Sequence, residues 1–326
     1  MADFSLILFW AVVPPLLLLA CYYYRVPIAP SLLRLLLFFI FGAIAGLVAL
    51  SLQWVFEIIA NSIVDWRQIQ RSLFGVALRQ LVAIGPIEEG CKLAAVVIPI
   101  CYFQRRYRLR PSTIFLYTIA VALGFTAEEN SIYLFYGTAS IFDRSIGTPV
   151  HAMFSAPWGY ALGMSIGSSN IHLHQDWKYI LKAWLNAVIC HALVNVLSSA
   201  WRYPPPLRFL SYGLFPFFVW MFWRMEQLLR RVQGQSPITL ISGYTPQHRY
   251  WQRGLVLFAL ILGGNAIFGM FLLVRALSPL RFSQFLSPNI MWFILSRSLL
   301  NLIFGLLAWG IYRYLRHSAR RQRVMS

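Results

Sequence analysis

Apolar runs of about 20 residues, the length that a helix needs to cross the hydrocarbon core of a bilayer, recur along most of this 326-residue chain. Inside lipid, only helices and closed barrels satisfy all of their backbone polar groups, and the alternation typical of barrel strands is absent from the sequence. Only 12% of the residues are charged, against about 25% in soluble domains. The sequence therefore predicts an all-α, polytopic transmembrane helix bundle with the lipid bilayer as a partner.

The apolar runs predict about nine spans, with more polar segments at 56–80 and 227–252. The first run lacks a preceding basic region and is too long for the apolar part of a signal peptide, so we interpret it as a retained span. We expect N-terminal spans with an interfacial segment (1–80), a catalytic four-helix transmembrane core (81–201), and C-terminal spans with a basic tail (202–326). The predicted spans are approximately 4–24, 32–55, 81–103, 112–136, 150–171, 179–201, 206–225, 254–275 and 289–312.

The net charge of +18 would favour a nucleic-acid partner in a soluble protein. Here the basic residues lie in short loops between apolar runs, where Lys and Arg mark the cytoplasmic side of a membrane protein. We therefore expect no nucleic-acid partner. The bias over alternate loops predicts an integral membrane protein with its N-terminus outside and its C-terminus in the cytoplasm. The loop from Arg105 to Arg110 and the tail from Arg313 onwards contribute to this bias.

Two pairs of glutamates interrupt the apolar segments. Glu88 and Glu89 lie in GPIEEGCKLAAVVIPI, and Glu128 and Glu129 lie in VALGFTAEENSIYLF. Lys92 follows Glu88 and Glu89 at i+4 and i+3, a spacing that permits an ion pair on one helix face. A charged group near the centre of a membrane helix costs about 2.5–3.5 kcal/mol. Packing alone does not account for such groups, so we expect a polar site between helices.

Two histidines also lie within apolar segments. His151 opens the run HAMFSAPWGYALGMSIG, and His191 lies in LNAVICHALVNVL, with Asn195 one helical turn further on. With the N-terminus outside, these histidines and the two glutamate pairs come to a similar depth near the outer face. The sequence thus predicts one polar site at that depth.

Glutamates and histidines at one depth can perform acid–base chemistry. One carboxylate can activate a water while a second group protonates a leaving amine, and histidine or asparagine can stabilise an oxyanion. Two histidines with several glutamates can also ligate zinc, although the spacing does not require a metal. The alternative is a proton- or cation-coupled secondary transporter that uses the same Glu, Lys and His cluster, although the inverted repeats of transporters are not detectable. A structural ion-pair cluster is a third interpretation.

Four short motifs in this region resemble those of the PrsW family of glutamic-type intramembrane proteases, which belongs to a wider group with CAAX-processing and bacteriocin-processing membrane endopeptidases. They are EEGCK at 88–92, FTAEEN at 125–130, HAMFS at 151–155 and HALVN at 191–195, in that order on successive apolar segments. The resemblance implies a glutamate- or metal-dependent protease of the bacterial plasma membrane. It also implies a membrane-anchored protein substrate, such as an anti-sigma factor, cleaved near its extracytoplasmic side.

The resemblance also implies a set of catalytic residues. Glu88 and Glu89 are expected to be the catalytic pair, and Glu129, His151 and His191 are expected to complete the site. If a divalent metal such as zinc is present, its expected ligands are Glu89, Glu129, His151 and His191.

Further residues of the motifs are expected to act around this set. Lys92, Asn130 and Asn195 are the expected supporting residues. Glu128 is expected to be a neighbouring carboxylate that is not essential. Ser155 is expected to be a packing or hydrogen-bonding serine and not a nucleophile.

Overall fold

The computed structural model describes residues 4–104, 109–167 and 173–325. Within these ranges every regular element is helical, so the predicted all-α fold is confirmed. The basic loop at 105–108 and the loop histidine His172 lie outside the described residues. The helices are α1 (Phe4–Tyr24), α2 (Leu32–Ile63), α3 (Trp66–Ile69), α4 (Leu73–Arg79), a π-helical turn (Gln80–Ile84), α5 (Gly85–Gln104), α6 (Pro111–Phe135), α7 (Ile141–Gly147), α8 (Val150–Gly167), α9 (Leu173–Ala200), a 3-10 helix (Leu207–Gly213), α10 (Leu214–Val232), α11 (Pro246–Leu277), α12 (Phe282–Phe285) and α13 (Pro288–Met325).

Six helices of the described chain are long and apolar enough to cross a bilayer. Three further helices coincide with predicted spans but are more polar. Of these, α5 carries two glutamates and Lys92, α8 carries His151, and α10 carries Glu226 and two terminal arginines. The predicted count of about nine spans is therefore not confirmed, because charged and polar groups interrupt these three. The six helices are Phe4–Tyr24, Leu32–Ile63, Pro111–Phe135, Trp177–Ala200, Pro246–Leu277 and Pro288–Arg321.

The chain divides into two compact units. The first comprises Met1–Ser199 with Met225–Ser236, and the second comprises Ala200–Arg224 with Pro237–Ser326. All of the residues predicted for the site belong to the first unit, which contains α1 to α9. The three-part division expected from the sequence stays a prediction.

Helix α6 is the centre of the first unit. Its side chains are buried without interruption from Ser112 to Ala127, and α1, α2, α5 and α8 pack against it. On the α2 side, the ring of Phe38 stacks on that of Tyr117 with centroids 3.9 Å apart. The opposite face of α2 exposes large apolar side chains such as Trp54, as expected of a surface that meets lipid. The buried segment of α6 therefore fixes the position of the polar end of this helix.

Two glycines bring the backbones of α2 and α6 into contact. A Cβ atom at Gly42 would overlap the carbonyl oxygen of Val121, and one at Gly124 would overlap that of Phe39. Small residues at such positions let membrane helices approach closely. Backbone atoms cannot turn aside as a flexible side chain does, so both positions require glycine.

We expect Gly42→Ala and Gly124→Ala each to destabilise the bundle by about 1–3 kcal/mol, the usual cost of overpacking. Gly254→Ala on α11 is the matched control, because a Cβ there meets nothing within 4 Å. Thermal unfolding of the purified variants in detergent measures the difference. If Gly42→Ala and Gly124→Ala both unfolded at the wild-type temperature, the close approach of α2 and α6 would be contradicted.

Candidate active site

The residues predicted for the site come together at one end of the first unit. Glu88 and Glu89 lie in the first turns of α5, and Glu129 lies within the last two turns of α6. His151 is the second residue of α8, and His191 lies in the second half of α9. The five side chains form one cluster joined by contacts of 3.0 to 3.9 Å. Their proximity agrees with the common depth expected from the sequence, while their catalytic roles stay predictions.

Three of these residues form a group able to hold a metal ion. One potential ligand atom from each of Glu88, His151 and His191 lies within 4.8 Å of the others. Glu88 Oε2 is 3.7 Å from His191 Nε2 and 3.9 Å from His151 Nδ1. Tetrahedral zinc, with bonds of about 2.0–2.2 Å, places its ligand atoms about 3.4 Å apart. A small contraction would therefore bring these three atoms onto one cation.

The free valences of this group also fit a cation. Glu88 Oε2 is buried and without a hydrogen-bond partner in the described structure, and His191 Nε2 faces it at 3.7 Å. A buried polar atom that lacks a partner costs free energy. We therefore expect a bound cation, water or substrate atom to contact Glu88 Oε2 in the active enzyme. The ring of His191 is held flat against Phe154, with centroids 4.7 Å apart. The imidazole is thereby fixed in its orientation toward the glutamate.

This group differs from the ligand set expected from the sequence. Glu88 takes part in it, whereas Glu89 and Glu129, which were the expected carboxylate ligands, do not. The physical reason is that both of these carboxylates already have short contacts with other donors. The two histidines of the expected set are in the group.

Glu89 is held by a complete set of donors. The residue is fully buried, and its Oε1 accepts a hydrogen bond from Lys92 Nζ at 2.7 Å. Its Oε2 accepts from Ser155 Oγ and from Trp158 Nε1, both at 3.0 Å. Ser155 thus makes the hydrogen-bonding contact expected of it. The indole of Trp158 was not singled out in the sequence, where it looks like an ordinary aromatic residue of a span.

Lys92 lies between the carboxylates and His151. Its Nζ is fully buried, lies 4.2 Å from the centroid of the Phe125 ring, and is 2.9 Å from His151 Nδ1. An ammonium group only donates, so His151 Nδ1 accepts, and its Nε2–H donates to Glu129 Oε2 at 3.0 Å. His151 Nδ1 has a single lone pair, which can bind either the Lys92 ammonium group or a cation, but not both. His151 Nδ1 is therefore free for a cation only when Lys92 relies on its contact with Glu89.

Glu129 orients His151 and is itself fixed by an arginine from α7. Arg144 donates to Glu129 Oε2 and also, through Nε, to Asn130 Oδ1 at 2.6 Å. The same guanidinium lies 4.5 Å from the centroid of the Tyr133 ring. A carboxylate behind a histidine fixes the tautomer and the direction of the ring. Asn130 thus contacts the arginine that fixes Glu129, while its supporting role stays a prediction. No motif in the sequence pointed to Arg144.

Asn195 supports the site from a distance. Its Nδ2 donates to Gln80 Oε1 at 2.8 Å, and Gln80 begins the π-helical turn that leads into α5. Such turns are rare and are frequent at functional sites. The contact therefore fixes the direction in which α5 presents Glu88 and Glu89, and no direct contact of Asn195 with the glutamates or histidines is among the described interactions.

We expect Gln80→Leu and Asn195→Leu to lower proteolytic activity by a similar factor, because each removes the same contact. The double variant should lose no more than either single one, since residues in direct contact give non-additive effects. Initial cleavage rates for the four proteins measure this coupling. Strictly additive losses would assign the two residues separate roles.

Glu128 lies on the side of α6 that faces α2. Its carboxylate packs against Gly46 of α2, where a Cβ atom would overlap it. Its Oε1 is buried and has no hydrogen-bond partner in the described structure. The helix rotation of about 100° between neighbouring residues separates it from Glu129. This position agrees with the expectation of a neighbouring carboxylate.

A buried carboxylate beside two imidazoles, set between helices of an apolar bundle, is characteristic of a membrane-embedded hydrolase with a candidate metal site. A family model described as PrsW family intramembrane metalloprotease matches residues 30–221. This match covers more than half of the chain. The chain belongs to the PrsW family of intramembrane metalloproteases, and it is accordingly a protease, a hydrolase and an integral membrane protein.

Two curated relatives are similar to about half of the chain. Protease PrsW of Shouchella clausii (strain KSM-K16) is 26% identical over 160 residues, which cover 47% of this chain and 69% of the relative. Protease PrsW of Clostridioides difficile (strain 630) is 24% identical over 172 residues, which cover 51% of this chain and 67% of the relative. No solved structure matches. The comparisons do not favour the transporter alternative.

Proposed function

We propose that this protein hydrolyses a peptide bond of a membrane-anchored protein substrate, with Glu88 activating the water. The observation that carries this proposal is the buried, unpartnered Glu88 Oε2, which faces His151 and His191 at 3.9 and 3.7 Å. A water or a substrate oxygen placed between these groups would give Glu88 Oε2 the partner that it lacks. This arrangement supports Glu88, and not Glu89, as the base.

In the reaction, Glu88 Oε2 takes a proton from the water as its oxygen attacks the scissile carbonyl carbon. His191, which Phe154 holds in place, donates to the oxyanion that develops. The C–N bond then breaks, and the proton taken by Glu88 passes to the leaving amine. Glu89 fixes Lys92, and Glu129 fixes His151, so both carboxylates position other groups.

The same residues fit the divalent metal that the family description implies. Glu88, His151 and His191 would hold it, a combination of two histidines and one glutamate that suits zinc. As ligands, Glu88 Oε2 and His191 would no longer act as the base and the oxyanion donor. A bound zinc ion supplies Lewis acidity, which activates water and polarises a carbonyl group. Release of His151 Nδ1 by Lys92, which keeps its 2.7 Å contact with Glu89, would make the third ligand available.

Chelation tests this assignment. We expect 1,10-phenanthroline to abolish cleavage by the purified protein, and added Zn²⁺ to restore it, because the three ligands leave a position open for water. The zinc content of the protein before and after chelation is the matching measurement. Full activity of metal-free protein would instead assign the chemistry to Glu88 without a metal.

We place the site near the extracytoplasmic side of a bacterial plasma membrane. The support is the basic bias of alternate loops, which sets the N-terminus outside and the C-terminus in the cytoplasm. In this arrangement α5, α8 and α10 complete about nine spans, and 81–201 is the catalytic core between the N-terminal spans and the C-terminal spans with their tail. The resemblance of the motifs favours an anti-sigma factor as the substrate.

Fragment mapping tests the substrate class and the side together. The purified protein is incubated with single-span substrates whose membrane-proximal segments differ on the two sides, and mass spectrometry identifies the cleaved bond. We expect cleavage close to the extracytoplasmic end of the span. Cleavage only at the cytoplasmic end would overturn the proposed orientation.

A further inference from the structure

A glutamine outside the four motifs contacts the proposed base. Gln53 lies on α2 and donates from Nε2 to Glu88 Oε1 at 3.1 Å. A carboxylate only accepts, so the amide nitrogen, and not its oxygen, must face Glu88. The glutamine lies 35 residues before Glu88, on a helix whose neighbouring side chains are mostly apolar.

The contact separates the two oxygens of Glu88 into different roles. Oε1 has a donor in Gln53, whereas Oε2 has none and faces the two histidines. Rotation of the Glu88 carboxylate by 180° about its terminal C–C bond would exchange the two oxygens. The hydrogen bond to Oε1 restricts this rotation. Gln53 thus selects the oxygen that is presented to the reacting groups.

Lys92 also attracts the Glu88 carboxylate, in competition with Gln53. Its Nζ is 3.7 Å from Glu88 Oε2 and already 2.7 Å from Glu89 Oε1. In a buried setting an unrestrained carboxylate is drawn toward an ammonium, because Coulomb attraction is weakly screened there. If Glu88 closed this gap, its Oε2 would leave the histidines. The hydrogen bond from Gln53 pulls on the opposite oxygen and holds the carboxylate away from Lys92.

We propose that Gln53 is a positioning residue of the active site, which holds Glu88 off Lys92 and keeps Glu88 Oε2 directed at His151 and His191. This inference rests on the proposed function and adds α2 to the elements that build the site. Gln53 touches neither substrate nor reacting atoms in this account, and it acts only through Glu88.

The test compares Gln53→Leu, which removes the donor, with Gln53→Glu, whose carboxyl group brings a second acid against Glu88 and donates only when protonated. Gln68→Glu is the matched control, because Gln68 is exposed on the short helix α3 and receives the same chemical change. The readouts are the affinity of metal-free protein for Co²⁺, followed by its visible absorption spectrum, and kcat and KM measured separately. Partners that orient a metal ligand are worth about 10–100-fold in metal affinity or activity.

We expect both Gln53 variants to lose about 10–100-fold in Co²⁺ affinity and kcat, with KM unchanged and the Gln68 control at wild-type values. Wild-type Co²⁺ affinity and kcat in Gln53→Leu would overturn the inference. A loss expressed only in KM would also overturn it, since that result assigns Gln53 to substrate binding.

A stability cycle keeps the contact testable without activity. Gln53→Leu, Glu88→Leu and the double variant are unfolded in detergent, and non-additive shifts of the unfolding midpoint support the contact. Additive shifts would overturn it. A wild-type protein that neither cleaves any substrate nor binds Co²⁺ refutes the proposed function, and the inference falls with it. Loss confined to the Gln53 variants instead supports both.

Discussion

Glu88→Gln is expected to lower kcat by about 10²–10⁴-fold, the usual contribution of a general base, while the protein keeps its fold. The amide retains the shape of the side chain and can still accept from Gln53 through its oxygen. It cannot take a proton from water, and it is a poor metal ligand. Cleavage rates at saturating substrate, together with the unfolding midpoint in detergent, measure the two effects separately.

Glu128→Gln is the matched control for this result. The residue is a second intramembrane glutamate, and the substitution is chemically identical, but its carboxylate packs against Gly46 instead of the histidines. We expect cleavage near the wild-type rate. If Glu128→Gln lost as much activity as Glu88→Gln, the assignment of Glu88, and not Glu128, to the active site would be contradicted.

Lys92→Met is expected to destabilise the protein by about 3–5 kcal/mol, the cost of removing one partner of a buried ion pair. Both side chains of the Lys92–Glu89 pair are fully buried, and the substitution leaves the carboxylate of Glu89 with only its two neutral donors. Methionine fills a similar volume, so packing changes little. Denaturant unfolding in detergent measures the loss.

The surface pair Arg25–Glu226 provides the comparison. Its side chains are 45% and 22% exposed, and pairs of this kind contribute about 0–1 kcal/mol. Arg25→Met should therefore cost much less than Lys92→Met. A double variant, Lys92→Met with Glu89→Leu, should recover much of the stability, since an apolar pair needs no counter-charge. Equal losses for the two single variants would contradict the burial of the Lys92–Glu89 pair.

The cost of charge in lipid made the location of the site predictable from the sequence. Glutamates and histidines in apolar runs have few explanations besides function, and their alternation between helix starts and helix ends predicted one depth. The same charged and polar residues make the number of membrane spans harder to determine from composition. α5 carries Glu88, Glu89 and Lys92 and so falls outside the six helices that are apolar enough to span by composition alone.

The partners of the site were not predictable in the same way. Gln53 and Trp158 contact glutamates that lie 35 and 69 residues away in the chain, and such contacts depend on how each helix is rotated about its axis. The distinction between Glu88 and Glu89 has the same origin. Neighbouring helical residues point about 100° apart. Glu89 therefore meets the donors of α8 and His191 Nδ1 at 3.6 Å, while Glu88 Oε2 faces both histidines.

The most direct test of the central claim uses the wild-type protein and His191→Ala in proteoliposomes that contain a single-span substrate, with fragments and ion flux recorded from the same vesicles. We expect the wild-type protein to release substrate fragments without ion flux, and His191→Ala, which removes one of the two histidines that face Glu88 Oε2, to release almost none. Ion-dependent flux with intact substrate would contradict this expectation, as would undiminished cleavage by His191→Ala.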